Sequence, residues 1–530
     1  MNTCFSGGNP ISENIPIHPM NLRPITLHVH THIQPQAGAL IIPVMQGDGL
    51  ERQLSGIAAR FKLPASLLQT DFKADLKEIS SVYADASFKN LQKIYLLGLG
   101  RQPGSMETLK GFRNFFFQQR GKLPAHVGIE MDADFDATHV EAAVNGSLLG
   151  GYNLNLYKTE PEKTRNFFHE NPVLDIYVDQ ESVPLAEKAV QAGRATAETQ
   201  MRVMDLVNAP GNHKTPQTLA DWAKESGEKY GFDVQVIQKE QLLQMGMHAL
   251  LAVNKGSEHP PVMIVMEYKP QDSSVVGMTN KKTGLVGKGV TFDTGGISLK
   301  DSTNMHQMKS DMGGAAAVLG IMELAAKLQL PVHLVGVIPS TENSVDGNAT
   351  KPGDVIGSYA GKTIEVIDTD AEGRLILADA LAYIVDKHRL DVLIDLATLT
   401  GSVIGTLGFA AAGLFAHNDE LAAGLLKAGT ETGEKLWRLP LWDDYKDEVK
   451  SDVADVKNYH GKPFAGAIVA AKFLEVFTNQ HPAWAHLDIA GTAFADSEFG
   501  TQKNATAYGV RLLKAFLSHP VSEGENGTEK

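Results

Sequence analysis

The chain is short of the features that mark most specialised proteins. It has a single cysteine, Cys4, in 530 residues. An intrachain disulfide is therefore impossible, and a cysteine-ligated zinc site is excluded. Cys4 has no basic neighbours and reads as a free thiol without a part in chemistry. No stretch approaches the roughly 20 apolar residues of a membrane span. The first thirty residues carry Pro, Asn and Ser but no apolar signal core. A reducing cytoplasm is the expected location, with no membrane partner. Positive charge is also in deficit: 48 Lys and Arg face 62 Asp and Glu, a formal net charge of -14. Such a balance disfavours a sequence-independent nucleic-acid surface or an acidic membrane surface.

Several catalytic motifs are missing or incomplete. There is no Gly-x-Ser-x-Gly nucleophile elbow. Gly98-Leu99-Gly100 lacks the third glycine of a dinucleotide fingerprint, and His169-Glu170 lacks the second histidine of a zincin helix. Gly284 to Lys288 echoes a phosphate loop, but Gly289 follows the lysine where Ser or Thr is needed. His28, His30 and His32 alternate on one strand face, either as metal ligands or as a half-exposed face. Neither an internal repeat nor a low-complexity block is present.

What is there is enough chain for two domains, with a composition that fits a globular protein. Residues 1–25 read as an irregular arm, 26–185 as a smaller α/β domain, 186–520 as a larger α/β/α domain with a mostly parallel sheet, and 521–530 as a polar tail. In the first domain, Leu27 to His32, Ala39 to Val44 and Lys93 to Gly100 read as strands. His139 to Leu149 and Pro184 to Val207 read as helices. In the second, strands are expected at Val262 to Tyr268, Leu285 to Phe292, Val332 to Ile338, Thr363 to Ile367 and Asp391 to Leu396. Helices are expected at Gly314 to Leu328 and Arg374 to Asp386. Alternating strands and helices imply a parallel sheet covered on both faces. Ligands then bind beyond the carboxyl ends of the strands. Asp293 and Asp370 each follow an apolar run and are expected to meet at that edge.

The most informative segment is Asp368-Thr369-Asp370-Ala371-Glu372-Gly373-Arg374-Leu375. It places acids and an arginine among small neutral residues. Carboxylates in such a setting repel one another and are costly to bury unless a cation pairs them. Upstream, Gly287 to Lys300 contributes Asp293 between Lys288 and Lys300, and Met308-Lys309-Ser310-Asp311-Met312-Gly313-Gly314 adds another acid before a helix. Asp293, Asp311, Asp370 and Glu372 supply four negative charges against the four positive charges of two divalent cations. Such a pair can activate one water and polarise one carbonyl. A lysine beside two metals is expected to have a lowered pKa and can ligate as a neutral amine, while a second can stay charged and hold an oxyanion. Arg374 offers a planar fork for a small oxyanion. The plainer alternatives are a helix cap for Asp311 and a first-turn acid for Glu372.

These three segments resemble the leucine (leucyl or cytosol) aminopeptidase family of dinuclear metallo-exopeptidases. The family's Asn-Thr-Asp-Ala-Glu-Gly-Arg-Leu signature appears with Asp368 in place of Asn, a change that spares the ligand positions. Similar stretches are Leu206 to Asn212, Asp395 to Gly401 and Trp484 to Thr492. The resemblance covers roughly residues 195 to 515. It implies that Lys288, Asp293, Asp311 and Glu372 hold a tighter metal, and that Asp293, Asp370 and Glu372 hold a more exchangeable one. Asp370 would also use its backbone carbonyl, and Asp293 and Glu372 would bridge. It further implies that Lys300 polarises the scissile carbonyl and that Arg374 anchors a bicarbonate. Met308, Thr398 and Gly401 would line the pocket for the first side chain.

The implied activity is release of N-terminal residues, Leu and other apolar ones preferred, from peptides with a free amino terminus, by attack of a metal-bridging hydroxide. The metals would be manganese or zinc, with magnesium or cobalt tolerated. The implied assembly is a homohexamer. The competing readings are a narrow dipeptidase or cysteinylglycine hydrolase, and a non-catalytic role in binding nucleic acid or protein.

Overall fold

A computed structural model describes residues 25–159, 166–169, 171–270, 281–495, 498–499 and 502–518. The expected arm up to residue 24, Cys4, Glu170, part of the polar stretch after Lys158, and the polar tail lie outside them. The architecture is α/β, with two large sheets and a small third one.

The first sheet has six strands in the order Thr26–His30, Val173–Tyr177, His126–Glu130, Ala39–Val44, Lys93–Gly98 and Ile79–Tyr83. All pairings are parallel except the last. Leu40, Ile42 and Leu96 turn to one face, against Leu54, Phe61 and Phe72. Ile41, Tyr95 and Leu97 turn to the other, against Phe112, Phe115 and Phe116. This period of two, with both sets buried, explains the near-continuous apolar runs.

The second sheet runs Leu436–Arg438, Ala412–Ala416, Trp484–Asp488, Val392–Ala397, Lys282–Gly287, His333–Asn343, Val262–Tyr268 and Asp233–Ile237, with Gly289–Asp293 paired to His333–Asn343. Its centre is parallel. Antiparallel pairings enter on both sides, at Ala412–Ala416 on one and at Val262–Tyr268 and Asp233–Ile237 on the other. Leu285 and Ile394 face helix Gly313–Leu328, while Val286 and Leu393 face helix Glu372–Lys387. The long helix Val183–Asn208 packs against Ala137–Leu149 on one side and Gly313–Leu328 on the other, which ties the two sheets together.

Two expectations need correction. The run from Leu285 to Phe292 is two strands, Lys282–Gly287 and Gly289–Asp293, broken at Lys288. At the break, the Lys288 backbone N–H still bonds Leu396 O of the neighbouring strand at 3.0 Å, while its C=O accepts from Ala315 N at 2.9 Å. The run from Thr363 to Ile367 is not a strand of the main sheet. Only Ile364–Glu365 is extended, in the small sheet with Val355–Ile356 and Val456–Lys457. Ile364 and Val366 nevertheless join the core beneath helix Glu372–Lys387, so their apolarity reports burial, not membership of the main sheet.

Candidate metal centre

Asp293 ends its strand, and the chain turns sharply behind it. Asp293 Oδ1 accepts from Gly295 N at 2.9 Å and Asn343 Nδ2 at 2.8 Å, leaving Oδ2 toward Lys300 Nζ at 2.8 Å. Asp311 follows the short turn Met305–Ser310 and receives Lys288 Nζ at 2.8 Å on Oδ1 and 2.7 Å on Oδ2. The Thr398 hydroxyl donates to the same carboxylate at 2.7 Å. Asp311 does not cap the following helix, which has no side-chain cap.

Asp370 and Glu372 reach the site from a loop, not from the end of a main-sheet strand. The loop is held by polar side chains in place of a ladder. Thr369 Oγ1 donates to Gly295 O at 2.7 Å, and Asn343 Nδ2 donates to Thr369 O at 3.0 Å. Asn458 Oδ1 accepts from Ile367 N at 2.8 Å, while its Nδ2 donates to Asp368 O at 2.6 Å. Asp368 Oδ1 accepts the Asp370 N–H at 2.9 Å, a bond that an Asn Oδ1 would make equally well. Glu372 opens helix Glu372–Lys387, where the helix dipole favours a negative charge.

The result is one cluster. Carboxylate oxygens of Asp293, Asp370 and Glu372 lie within 4.8 Å of one another. Lys288 Nζ stands 2.8 Å from Glu372 Oε1 and 3.0 Å from Thr398 O, and Lys300 pairs with Asp370 as well as Asp293. Two lysines thus face four acids. Burial raises the pKa of Asp370 to about 7, and the charges of Asp293 and Glu372 add to the shift while Lys300 opposes it. Glu372 is raised by burial and Asp293, against Lys288. Asp311 is raised well above the carboxylate range by burial, with Lys288 opposing.

Facing the carboxylates alone, Lys288 is raised; the lowering is expected of a lysine beside two cations. Burial pulls the Lys288 pKa down, but Asp311, Glu372 and Asp293 together outweigh it. Lys300 is raised in the same way, burial being outweighed by Asp293, Glu372 and Asp370. Arg374 is buried, with Nη1 on Asn458 O at 2.7 Å, and burial lowers its pKa to about 10 against the pull of Glu372.

This donor set fits divalent cations. Glu372 Oε2 is buried and accepts no hydrogen bond among the described residues, and a buried carboxylate oxygen without a partner is costly. The donors are hard oxygens plus an amine, suited to manganese, magnesium or zinc. Of the residues expected to line a side-chain pocket, Met308 and Thr398 are half-buried beside Asp311, and Gly401 is exposed with open space where a β-carbon would stand. Reading the sequence did not single out Asn343 or Asn458. Each sits far along the chain, and no spacing signal connects it to the acids it positions.

Comparison with known proteins adds identity to this geometry. Residues 201–514 match the model of the cytosol aminopeptidase family, catalytic domain. A probable cytosol aminopeptidase of Chloroherpeton thalassium is 41% identical over 495 residues, covering 90% of this chain and 95% of the relative. One from Chlorobaculum parvum is 52% identical over 331 residues, covering 62% and 65%. Among solved structures, the bottromycin maturation enzyme BotP in complex with Mn is similar at a TM-score of 0.77 and 31% identity, covering 91% of this chain and 99% of that one. With these matches over most of its length, the chain belongs to the cytosol aminopeptidase family.

Proposed function

We propose that the protein is a metal-dependent aminopeptidase that releases N-terminal Leu and other apolar residues from peptides with a free amino terminus. The observation that carries this reading is the largely buried cluster of Asp293, Asp311, Asp370 and Glu372, with Glu372 Oε2 lacking a hydrogen-bond partner among the described residues and two lysines too few to balance it. Lys288, Asp293, Asp311 and Glu372 would hold one cation, and Asp293, Asp370 and Glu372 a second. The two cations would supply an activated water and a polarised scissile carbonyl. Manganese is the first metal to test, because a similar solved protein is described with it; zinc is the second.

The chain's own groups do the rest. Lys300 is partly exposed and reaches the acids from the solvent side, so its ammonium would steady the negative oxygen of the tetrahedral intermediate. Arg374, with a buried Nε that donates no hydrogen bond among the described residues, would anchor a bicarbonate able to take the proton of the attacking water. Thr398 orients Asp311 and would share the first side-chain pocket with Met308 and Gly401. A homohexamer is the assembly we infer, by similarity to the family.

The test is hydrolysis of leucine p-nitroanilide, Leu-Gly-Gly and a dipeptide by chelator-stripped protein resupplied with manganese or zinc. Activity that vanishes and returns, and is absent on N-acetylated peptide, supports the reading. Activity on the dipeptide alone would replace it with a dipeptidase. Inactivity with every metal at full occupancy would overturn it.

A further inference from the structure

The alternation of His28, His30 and His32 leads, in the fold, to a different trio. Strand Thr26–His30 pairs in parallel with Val173–Tyr177, in register His28 to Asp175 and His30 to Tyr177. His28, His30 and Asp175 therefore share one face, and His32 lies past the strand end. On the other side, Val173–Tyr177 pairs with His126–Glu130, which brings His126 onto the same face. Three imidazoles thus converge on one fully buried carboxylate.

The two oxygens of Asp175 face different neighbours. Oδ2 contacts His126 Nε2 at 2.7 Å and accepts from the Tyr177 hydroxyl at 3.1 Å. Tyr177 can lie there because residue 128 is glycine: a β-carbon at Gly128 would stand 2.3 Å from the Tyr177 ring. Oδ1 faces His28 Nδ1 at 3.2 Å and His30 Nε2 at 3.5 Å. A tetrahedral ion with bonds of about 2.0–2.1 Å spaces its ligands roughly 3.3 Å apart, so these two separations match the edges of such a site. Ligand atoms from all three residues fall within 4.8 Å of one another. His28 is about half exposed, with 48% of its side chain accessible, which leaves a path from solvent.

We propose that His28, His30 and Asp175 form a second metal site, for one divalent transition ion of the zinc class, independent of the acid cluster. Two imidazoles and a carboxylate select borderline ions such as zinc, cobalt, nickel or copper over magnesium and calcium. His126 and Tyr177 hold the carboxylate by its outer oxygen, the arrangement that orients ligands in established metal sites. With three protein ligands, the fourth position falls to water and the ion exchanges. Its binding pins the sheet-edge strand Thr26–His30 to its neighbour.

The site is tested on full-length, tag-free protein, first with Zn2+ by equilibrium dialysis and then with Cu2+ by electron paramagnetic resonance. The proposed ligands of the acid cluster include no imidazole, so coupling to imidazole nitrogen reports only a histidine site. The expected result is one Zn2+ equivalent more in the parent than in the H28A/H30A double variant. Two-imidazole coupling to Cu2+ should appear in the parent and in H32A, and be lost in H28A/H30A, with aminopeptidase activity unchanged in both variants. Equal Zn2+ binding by the parent and the double variant would overturn the proposal. So would Cu2+ coupling that is absent in the parent or survives in the double variant.

Discussion

The Lys288 ammonium arm lies directly across Gly373: a β-carbon built on residue 373 would stand 2.5 Å from Lys288 Cε and 2.7 Å from its Nζ. The glycine between Glu372 and Arg374 is thus the space through which Lys288 reaches Asp311 and Glu372. Gly373→Ala should displace the lysine although alanine is the better helix former by about 1 kcal/mol. We expect a preserved fold by circular dichroism and a loss of kcat/KM of about 100-fold, or about 2.7 kcal/mol of transition-state stabilisation. Unchanged kinetics would mean that Lys288 has another route to the acids.

Glu372→Ala removes a carboxylate that would help to hold both proposed cations. Hydrolysis should fall to background even in metal-replete protein, and metal analysis should show fewer than two bound equivalents. Substantial turnover in this variant would sink the assignment of the centre.

Lys300→Ala probes a different role. The acids keep their positions through Asn343, Thr369 and Thr398, so metal content should not change. Turnover should drop by on the order of 100- to 1000-fold, the usual cost of losing an oxyanion donor. Loss of metal in this variant would instead make Lys300 structural.

Asp379 gives a pH dependence away from the centre. Burial raises its pKa to about 7, against backbone N–H donors that include Leu250 at 2.9 Å and Tyr359 at 2.8 Å. The folded chain therefore holds a proton that the unfolded chain releases above its ordinary value of 3.8. The stability from this group is complete below that value and is lost as pH rises through about 7. Asp379→Asn should lower the melting temperature, and the gap to the parent should narrow from pH 5 to pH 8. A gap that widens with pH would show that the buried group is charged.

Much of the fold is legible locally. Ala39–Val44 and Val262–Tyr268 are strands where their apolar runs lie, and Val183–Asn208 and Gly313–Leu328 are helices where their patterns run. Three of these segments are buried nearly throughout and Val183–Asn208 buries one side, so their period and composition directly record their environment. Thr363 to Ile367 misleads for a related reason: Ile364 and Val366 are apolar because they are buried, yet Ile364–Glu365 pairs in a minor sheet.

The sequence by itself determined which side chains could carry chemistry: four acids, two lysines and an arginine in segments too neutral and too glycine-rich for ordinary solvated charges. It also determined the strand and helix periods, because hydrophobic burial is written in the order of residues. Only the tertiary structure decided the partners. Asn343 and Asn458 reach the acid loops from distant segments, Lys288 passes over Gly373, and His28 and His30 meet Asp175 instead of His32. Such pairings depend on strand register and on loops closing over more than a hundred residues in the case of His28 and Asp175. No local pattern encodes a distance in space, so these contacts exist only once the sheets have formed.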